Sequence, residues 1–190
     1  MLTVTNELQA INIMLGTIGE SPINSLEEIS GVIDAVTARQ VLNENAVAVL
    51  TEGWQFNTEY DWSFLPNKDS EITVPPTIIQ ADAVDRDIDV TVRGTRLYDL
   101  KNHTYKFIAP VKLDCLVLFS FEELPQAAKY YITIRAARVF QNRVVGSEVL
   151  QSFTEKDEVR ARIALMRYDT RNADYNMLNG SYTVARTLQR

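Results

Sequence analysis

One cysteine and one histidine in 190 residues leave little equipment for covalent or metal chemistry. A Ser-His-Asp or Cys-His arrangement would have to use His103, which sits in a turn-like stretch, and no nucleophile motif surrounds Cys115. Metal sites draw on several histidines or cysteines, and one of each makes no ligand set. With no internal disulfide partner, Cys115 in its strand-like setting (LDCLVLF) reads as a small buried hydrophobe. Folding in a reducing compartment such as the cytoplasm is expected. The seven glycines are scattered singly, so no glycine-rich phosphate loop exists. No apolar run approaches the roughly 18 residues of a membrane span, and no membrane partner is expected. The N-terminal MLTVTNELQAINIM lacks a basic region and is not expected to act as a secretory signal.

What is present is an ordinary globular composition, 46% hydrophobic and 23% charged, on a chain long enough for one domain with a sizeable insert. The net charge of −6 is unevenly placed. Residues 1–90 hold 15 acidic and 3 basic side chains, a net −12, whereas residues 91–190 hold 10 acidic and 16 basic, a net +6. The excess acid argues against a duplex-binding protein of the usual basic kind. The segregation has two readings: two differently solvated surfaces of one molecule, or self-complementary stacking of the basic side of one copy on the acidic side of the next.

Apolar periodicity divides the chain in three. Residues 1–54 and 121–176 read as amphipathic helices of one bundle, residues 55–120 as a β-rich insert, and residues 177–190 as a C-terminal arm. The expected fold class is α+β, a mainly α-helical bundle with an inserted antiparallel β-rich subdomain and an extended arm. The first helix is expected over Thr5–Ile18, with Thr5 as N-cap and Gly19 as stop. A second is expected over Asp34–Glu52, capped by Asp34 and stopped by Gly53. A third starts at Pro125 and runs to about Val145. The fourth follows after the short Gly146-Ser147 link, from Glu148 to about Asn172, with a break expected near Thr154. In the insert, strands are expected over Trp54–Asp61, Ser70–Val74, Asp87–Val92, Arg96–Leu100 and Leu113–Phe119, with turns at Arg93-Gly94-Thr95 and around Lys101-Asn102. Trp54 and Phe56, directly after Gly53, are too large and apolar for water and are expected to be buried where the second helix meets the insert.

Hydrolase chemistry with two carboxylates is the enzymatic alternative. The adjacent pairs Glu27-Glu28 and Glu122-Glu123 do not face one another on a helix and suit solvated or capping roles. Trp54, Tyr60, Trp62 and Phe64 would line a sugar cleft, yet they suit the core of the insert better. The reading is therefore not an enzyme, with no catalytic residue, cofactor or metal expected. Candidate interface residues are the arginines of the third and fourth helices, Arg135, Arg138, Arg143, Arg160, Arg162 and Arg167, because arginine-rich helices pair with acidic partners. Tyr182, Val184 and Leu188 join them as apolar anchors on a polar tail that has its own domain or a neighbouring copy to dock on.

Several strings, in order along nearly the whole chain, carry a resemblance. They are Ile18-Gly19-Glu20-x-Pro22-x-Asn24-Ser25-Leu26, then Ala38-Arg39-x-x-Leu42-Asn43, then Gly53-Trp54-x-Phe56-Asn57. Leu124-Pro125, Tyr131-Ile132 and Ala137-Arg138-x-Phe140-Gln141-x-Arg143-x-x-Gly146 follow, and Ala161-Arg162 and Tyr175-Asn176-Met177-Leu178 close the series. Together they resemble the tail tubular protein A family of short-tailed bacteriophages. The resemblance implies a virion structural protein folded in the host cytoplasm. Its subunits would form a ring, a dodecamer, below the portal as adaptor or gatekeeper between portal and tail nozzle. Tail fibres would attach nearby, and DNA would pass through the channel without specific binding. Segment 70–113 carries the least of the resemblance. A tail-associated cell-wall or polysaccharide hydrolase, and a head-completion connector of a long-tailed phage, are the alternatives.

Overall fold

The computed structural model describes residue 4, residues 6–146 and residues 148–172, with the side chains of residues 148–154 left out of account. Four helices, α1 (Glu7–Thr17), α2 (Ile33–Leu50), α3 (Gln126–Val144) and α4 (Glu148–Asn172), bracket five strands. The strands are β1 (Thr58–Phe64), β2 (Ile78–Ala83), β3 (Val90–Arg93), β4 (Arg96–Asp99) and β5 (Val111–Val117). The fold is α+β, as expected.

Local chemistry sets the helix ends. Asn6, not Thr5, caps α1, its side chain accepting the Gln9 N–H at 2.9 Å, while the Glu122 carboxylate from the far side of the insert accepts the Glu7 N–H at 2.9 Å. Past Gly19, the Glu20 N–H closes on the Leu15 carbonyl at 3.1 Å. The Asn12 side chain then exchanges two 2.9 Å hydrogen bonds with the Ile23 backbone, which fixes the following loop against α1. In α2, Val32 occupies the cap position without a side-chain bond, and Asp34 lies in the first turn, where its charge suits the helix dipole. Pro125 stands just before α3 rather than inside it, because its ψ of 150° is extended. The expected break near Thr154 is not there; α4 runs uninterrupted.

Helix α3 is the axis of the bundle and packs against α1, α2 and α4. Its buried side includes Tyr131, Ile132, Ala136 and Phe140. The alanines of α2, Ala35 and Ala38, are fully buried and allow the close helix approach their size implies. Arg138 of α3 pairs with Glu158 of α4, and Arg135 and Arg162 both reach Glu52 at 3.1 Å. Partner numbers that fall on one helix as they rise on the other mean that α3 and α4 run antiparallel, as the short link predicts.

The insert holds a three-stranded antiparallel sheet, β1–β5–β2, and the separate hairpin β3–β4. The hairpin turns at Gly94-Thr95, with Arg93 opposite Arg96 and Gly94 at φ +65°. Its inner core gathers Phe64, Ile72, Val74, Leu97, Leu113 and Cys115, among others. The sequence-based strands need correction here. Residues 70–74 form single bridges, Glu71 to Lys106 and Thr73 to Arg96, instead of a ladder. The Asn67 side chain takes the Asp69 and Glu71 N–H groups locally and so competes with pairing. Strand β2 was not expected: Gln80, Ala81 and Asp82 are poor strand formers, but β5 needs a second neighbour and supplies it. Strand β1 begins only at Thr58, since residues 55–57 make a 3-10 turn, and β3 begins only at Val90, since the Asp85 side chain turns the chain before it. Strand β5 lies two residues earlier than expected.

Bundle and insert meet at a polar pin. Asn57, 1% exposed, donates to the carbonyls of Leu50 (2.8 Å) and Val117 (3.2 Å) and accepts the Trp54 N–H (2.8 Å). The end of α2, the entry to β1 and the exit of β5 thus share one side chain. Gly53 precedes it at φ +76°, with the space of its missing Cβ closed at 3.5 Å by Leu116.

Candidate subunit interface

The residues with expected chemistry take structural places. Cys115 is fully buried in the insert, and burial pushes its thiol up to about 11. His103 sits exposed in a turn at φ +54°. Of the carboxylate pairs, Glu122 caps α1, Glu123 closes a capping box with Ser120, and Glu28 accepts the Asn24 N–H at 3.0 Å. The Ser120 hydroxyl and N–H hold Glu123 below the usual carboxylate range. Among the described residues no cluster of His, Cys, Asp or Glu is fit to hold a metal, and no helix is long and apolar enough to cross a membrane.

Trp54 is buried, donating its indole N–H to the Val49 carbonyl at 2.8 Å, and the half-buried Phe56 stacks on it with ring centroids 6.4 Å apart. The other two aromatics expected in the insert core are not there. Tyr60 is 56% and Trp62 40% exposed on β1, the outer strand of its sheet. A register shift between Glu59 and Trp62, with Asp61 at φ +55°, breaks the alternation and turns Tyr60 off the core face, whereas Trp62, opposite buried Leu113, packs on Phe64 with ring centroids 4.9 Å apart and is left part-exposed at the sheet edge.

The arginines are mostly occupied within their own chain. Arg135 and Arg162 share Glu52, Arg138 pairs with Glu158, Arg143 with Glu44 at 2.9 Å, and Arg160 with Asp157 at 3.3 Å. Hydrogen bonding by Arg143, aided by Gln40, lowers the Glu44 pKa. Part of the segregated charge therefore meets inside one subunit: Glu44 of α2 and Glu52 just beyond it are held by Arg143 and Arg135 of α3 and by Arg162 of α4. Arg167, with Arg171 one turn on, has no carboxylate partner among the described residues. Tyr182, Val184 and Leu188 lie outside the described residues.

Two apolar stripes escaped the sequence reading. Helix α2 buries Ala35, Ala38, Leu42 and Val49 but exposes Ile33 (84%), Val36 and Val47. Helix α4 buries Ala161 and Leu165 but exposes Val159, Ile163 and Met166 (51%). In each helix the second stripe is displaced from the first by two residues, about 200° round the axis at 3.6 residues per turn. Each therefore faces away from the bundle core. The signal was in the sequence as apolar residues outside the first stripe, Val159, Ile163 and Met166 at 3–4 spacing on α4 and Ile33, Val36 and Val47 on α2, while the charges of the fourth helix made it read as largely wet or interfacial.

A family model described as tail tubular protein matches residues 8–175. The chain belongs to the tail tubular protein family. It is 29% identical over 171 residues to the tail tubular protein A of Klebsiella phage KP34, covering 90% of each chain. Membership makes it a structural protein of the phage virion tail, a component of an oligomeric tail assembly. The resemblance read from the motif strings falls on the same family.

Proposed function

We propose that this tail tubular protein is the repeating subunit of a head-to-tail adaptor ring, a dodecamer, that joins the portal to the tail nozzle and forms part of the DNA passage channel, with tail fibres attached nearby. The observation that carries the reading is the family match over residues 8–175, nearly the whole chain. Outward apolar faces on two different helices support it, since a ring subunit needs two unlike contact faces. The excess acid of residues 1–90 supports a channel wall that repels phosphate and lets DNA slide. In this reading the bundle (1–54 and 121–176), the insert (55–120) and the arm (177–190) are three working units, and Tyr182, Val184 and Leu188 of the arm dock on a neighbouring subunit or the portal.

The test is particle mass with negative-stain imaging of the purified chain, alone and after mixing with its cognate portal. Closed rings in either sample are expected; a monomer that ignores the portal overturns the adaptor reading. Deletion after Leu178 is expected to leave a folded subunit that no longer forms rings or binds portal. Unfolding of that truncated subunit would assign the arm to its own core instead.

A further inference from the structure

We propose that the seam between neighbouring subunits is apolar and heterologous: the outer face of α4 on one copy packs lengthwise, antiparallel, on the outer face of α2 on the next. The inference deepens the ring reading and rests on it.

The two faces match in length, chemistry and charge. From Ile33 to Val47 the α2 stripe runs about 21 Å, and from Val159 to Arg171 the α4 stripe runs about 18 Å, at 1.5 Å per residue. On α4 Val159, Ile163 and Met166 recur at helical spacing; on α2 Ile33 and Val36 open the face and Val47 closes it, with Arg39, Gln40, Asn43 and Glu44 between, so the contact is apolar at its two ends and polar in its middle. The charges flanking the α2 stripe are already neutralised within the subunit, Arg39 by Glu7 at 2.8 Å and Glu44 by Arg143. Among the described residues, no ion pair is made by Asp34 at the N-terminal end of α2 or by Arg167 and Arg171 at the C-terminal end of α4. An antiparallel crossing brings these opposite charges together, sets Ile33 and Val36 against Met166, and sets Val47 against Val159. It also opposes the two helix dipoles favourably. A parallel crossing leaves Asp34 near Val159 and the arginines beside Val47. Because the two faces differ and lie on different helices of the bundle, each copy uses one face on each side. Such a contact propagates until rotation closes it into a ring.

The heterologous geometry makes a specific prediction. V36E blocks only the α2 face and M166E only the α4 face. Each variant alone is expected to lose rings while keeping the melting temperature and helical circular dichroism of the isolated subunit. Mixed in equal amounts, they retain one good α4 face and one good α2 face between them, so they are expected to form one-to-one dimers that grow no further. A second measurement reads the seam without depending on ring closure. With V36C and M166C in one chain, mild oxidation is expected to give a ladder of cross-linked copies, and each cysteine alone only dimers or none. Cys115 needs no removal, since it is fully buried. Rings that persist in both glutamate variants, or a mixture that yields no dimer, overturn the seam and leave the adaptor ring standing if the unaltered chain still forms rings. Failure of the unaltered chain to form rings with its portal sinks the ring reading separately. In a separate chain carrying M166C and L188C, a disulfide formed within one subunit would give the α4 face to the subunit's own arm and also overturn the proposal.

Discussion

The helical bundle and the insert hold themselves together in different ways, and the contrast explains how each can serve an assembly. In the bundle, stability comes from long side chains stacked along α3, so the backbone is regular and the outer faces of α2 and α4 are left for other work. In the insert the strands are short, at most 7 residues, and side chains that bond to nearby backbone take over where ladders stop. Asn67, Asp85 and Asp99 each close a turn in this way. A bundle built so tolerates polar substitution on its outer faces. An insert built so depends on single polar residues. Between them stands the junction of Trp54 and Asn57, where both styles meet.

The comparison is most severely tested at that junction. Truncation of Trp54 to alanine removes a buried ring and its hydrogen bond to Val49, and the expected loss is about 3–5 kcal/mol in denaturant unfolding. A loss near zero would mean that the ring contributes nothing to the junction. Asn57→Ala comes next. It leaves the Leu50 and Val117 carbonyls and the Trp54 N–H without their partner, at about 1–3 kcal/mol for buried groups left unpaired. Its sharper signature is uncoupling: the insert should lose amide protection before the bundle in hydrogen exchange, whereas the unaltered chain is expected to lose both together. Simultaneous loss in the variant would show that apolar packing alone couples the two regions.

Glu52→Gln should cost less, about 1 kcal/mol, because the two ion pairs it makes with Arg135 and Arg162 are partly exposed. The loss should shrink in high salt, and an effect unchanged by salt would assign it to packing. The smallest effect is expected at Asp99 of the insert. Bonds from the Asn102 backbone and side chain hold its carboxyl below the ordinary value of 3.8. A depressed pKa stabilises the fold above the ordinary value, and that contribution disappears as pH falls through the folded value. Thermal melts of the unaltered chain and of Asp99→Ala should therefore converge in strong acid. A gap that is constant from neutral pH downward would mean the turn is held by geometry rather than charge.

How much of this was legible in the chain differs by region for a physical reason. Helices announce themselves because one period of 3.6 residues recurs over many turns, so Leu8, Ile11 and Leu15, or Tyr131 and Ile134, mark a helix however its neighbours fall. Errors there fall mostly at ends, as at Asn6 and Pro125, where one side chain or one ψ angle decides, the break expected near Thr154 inside α4 being the exception. Strands carry only a short period of two, and one irregular residue inverts it. Asp61 does so in β1, which is why Tyr60 points to solvent while Trp62, past the irregularity, stays beside Phe64. Strand β2 opens on two strand formers, Ile78 and Ile79, but Gln80, Ala81, Asp82 and Ala83 carry no such signal, and the strand extends through them because β5 offers it hydrogen bonds. The arginines were legible as a group, but their partners were not: Glu52 lies 83 residues from Arg135 and 110 from Arg162.

The amino-acid sequence by itself determined the four helices, the β-rich middle, the burial of Trp54 at their meeting and the family to which the chain belongs. Each of these depends on neighbours in sequence, or on strings of residues in order. Only the tertiary structure decided which charges neutralise one another, which aromatic rings face water and which apolar stripes are left outward on α2 and α4. Those depend on residues brought together across the whole chain, and no local pattern encodes the side on which a helix with two apolar stripes is buried.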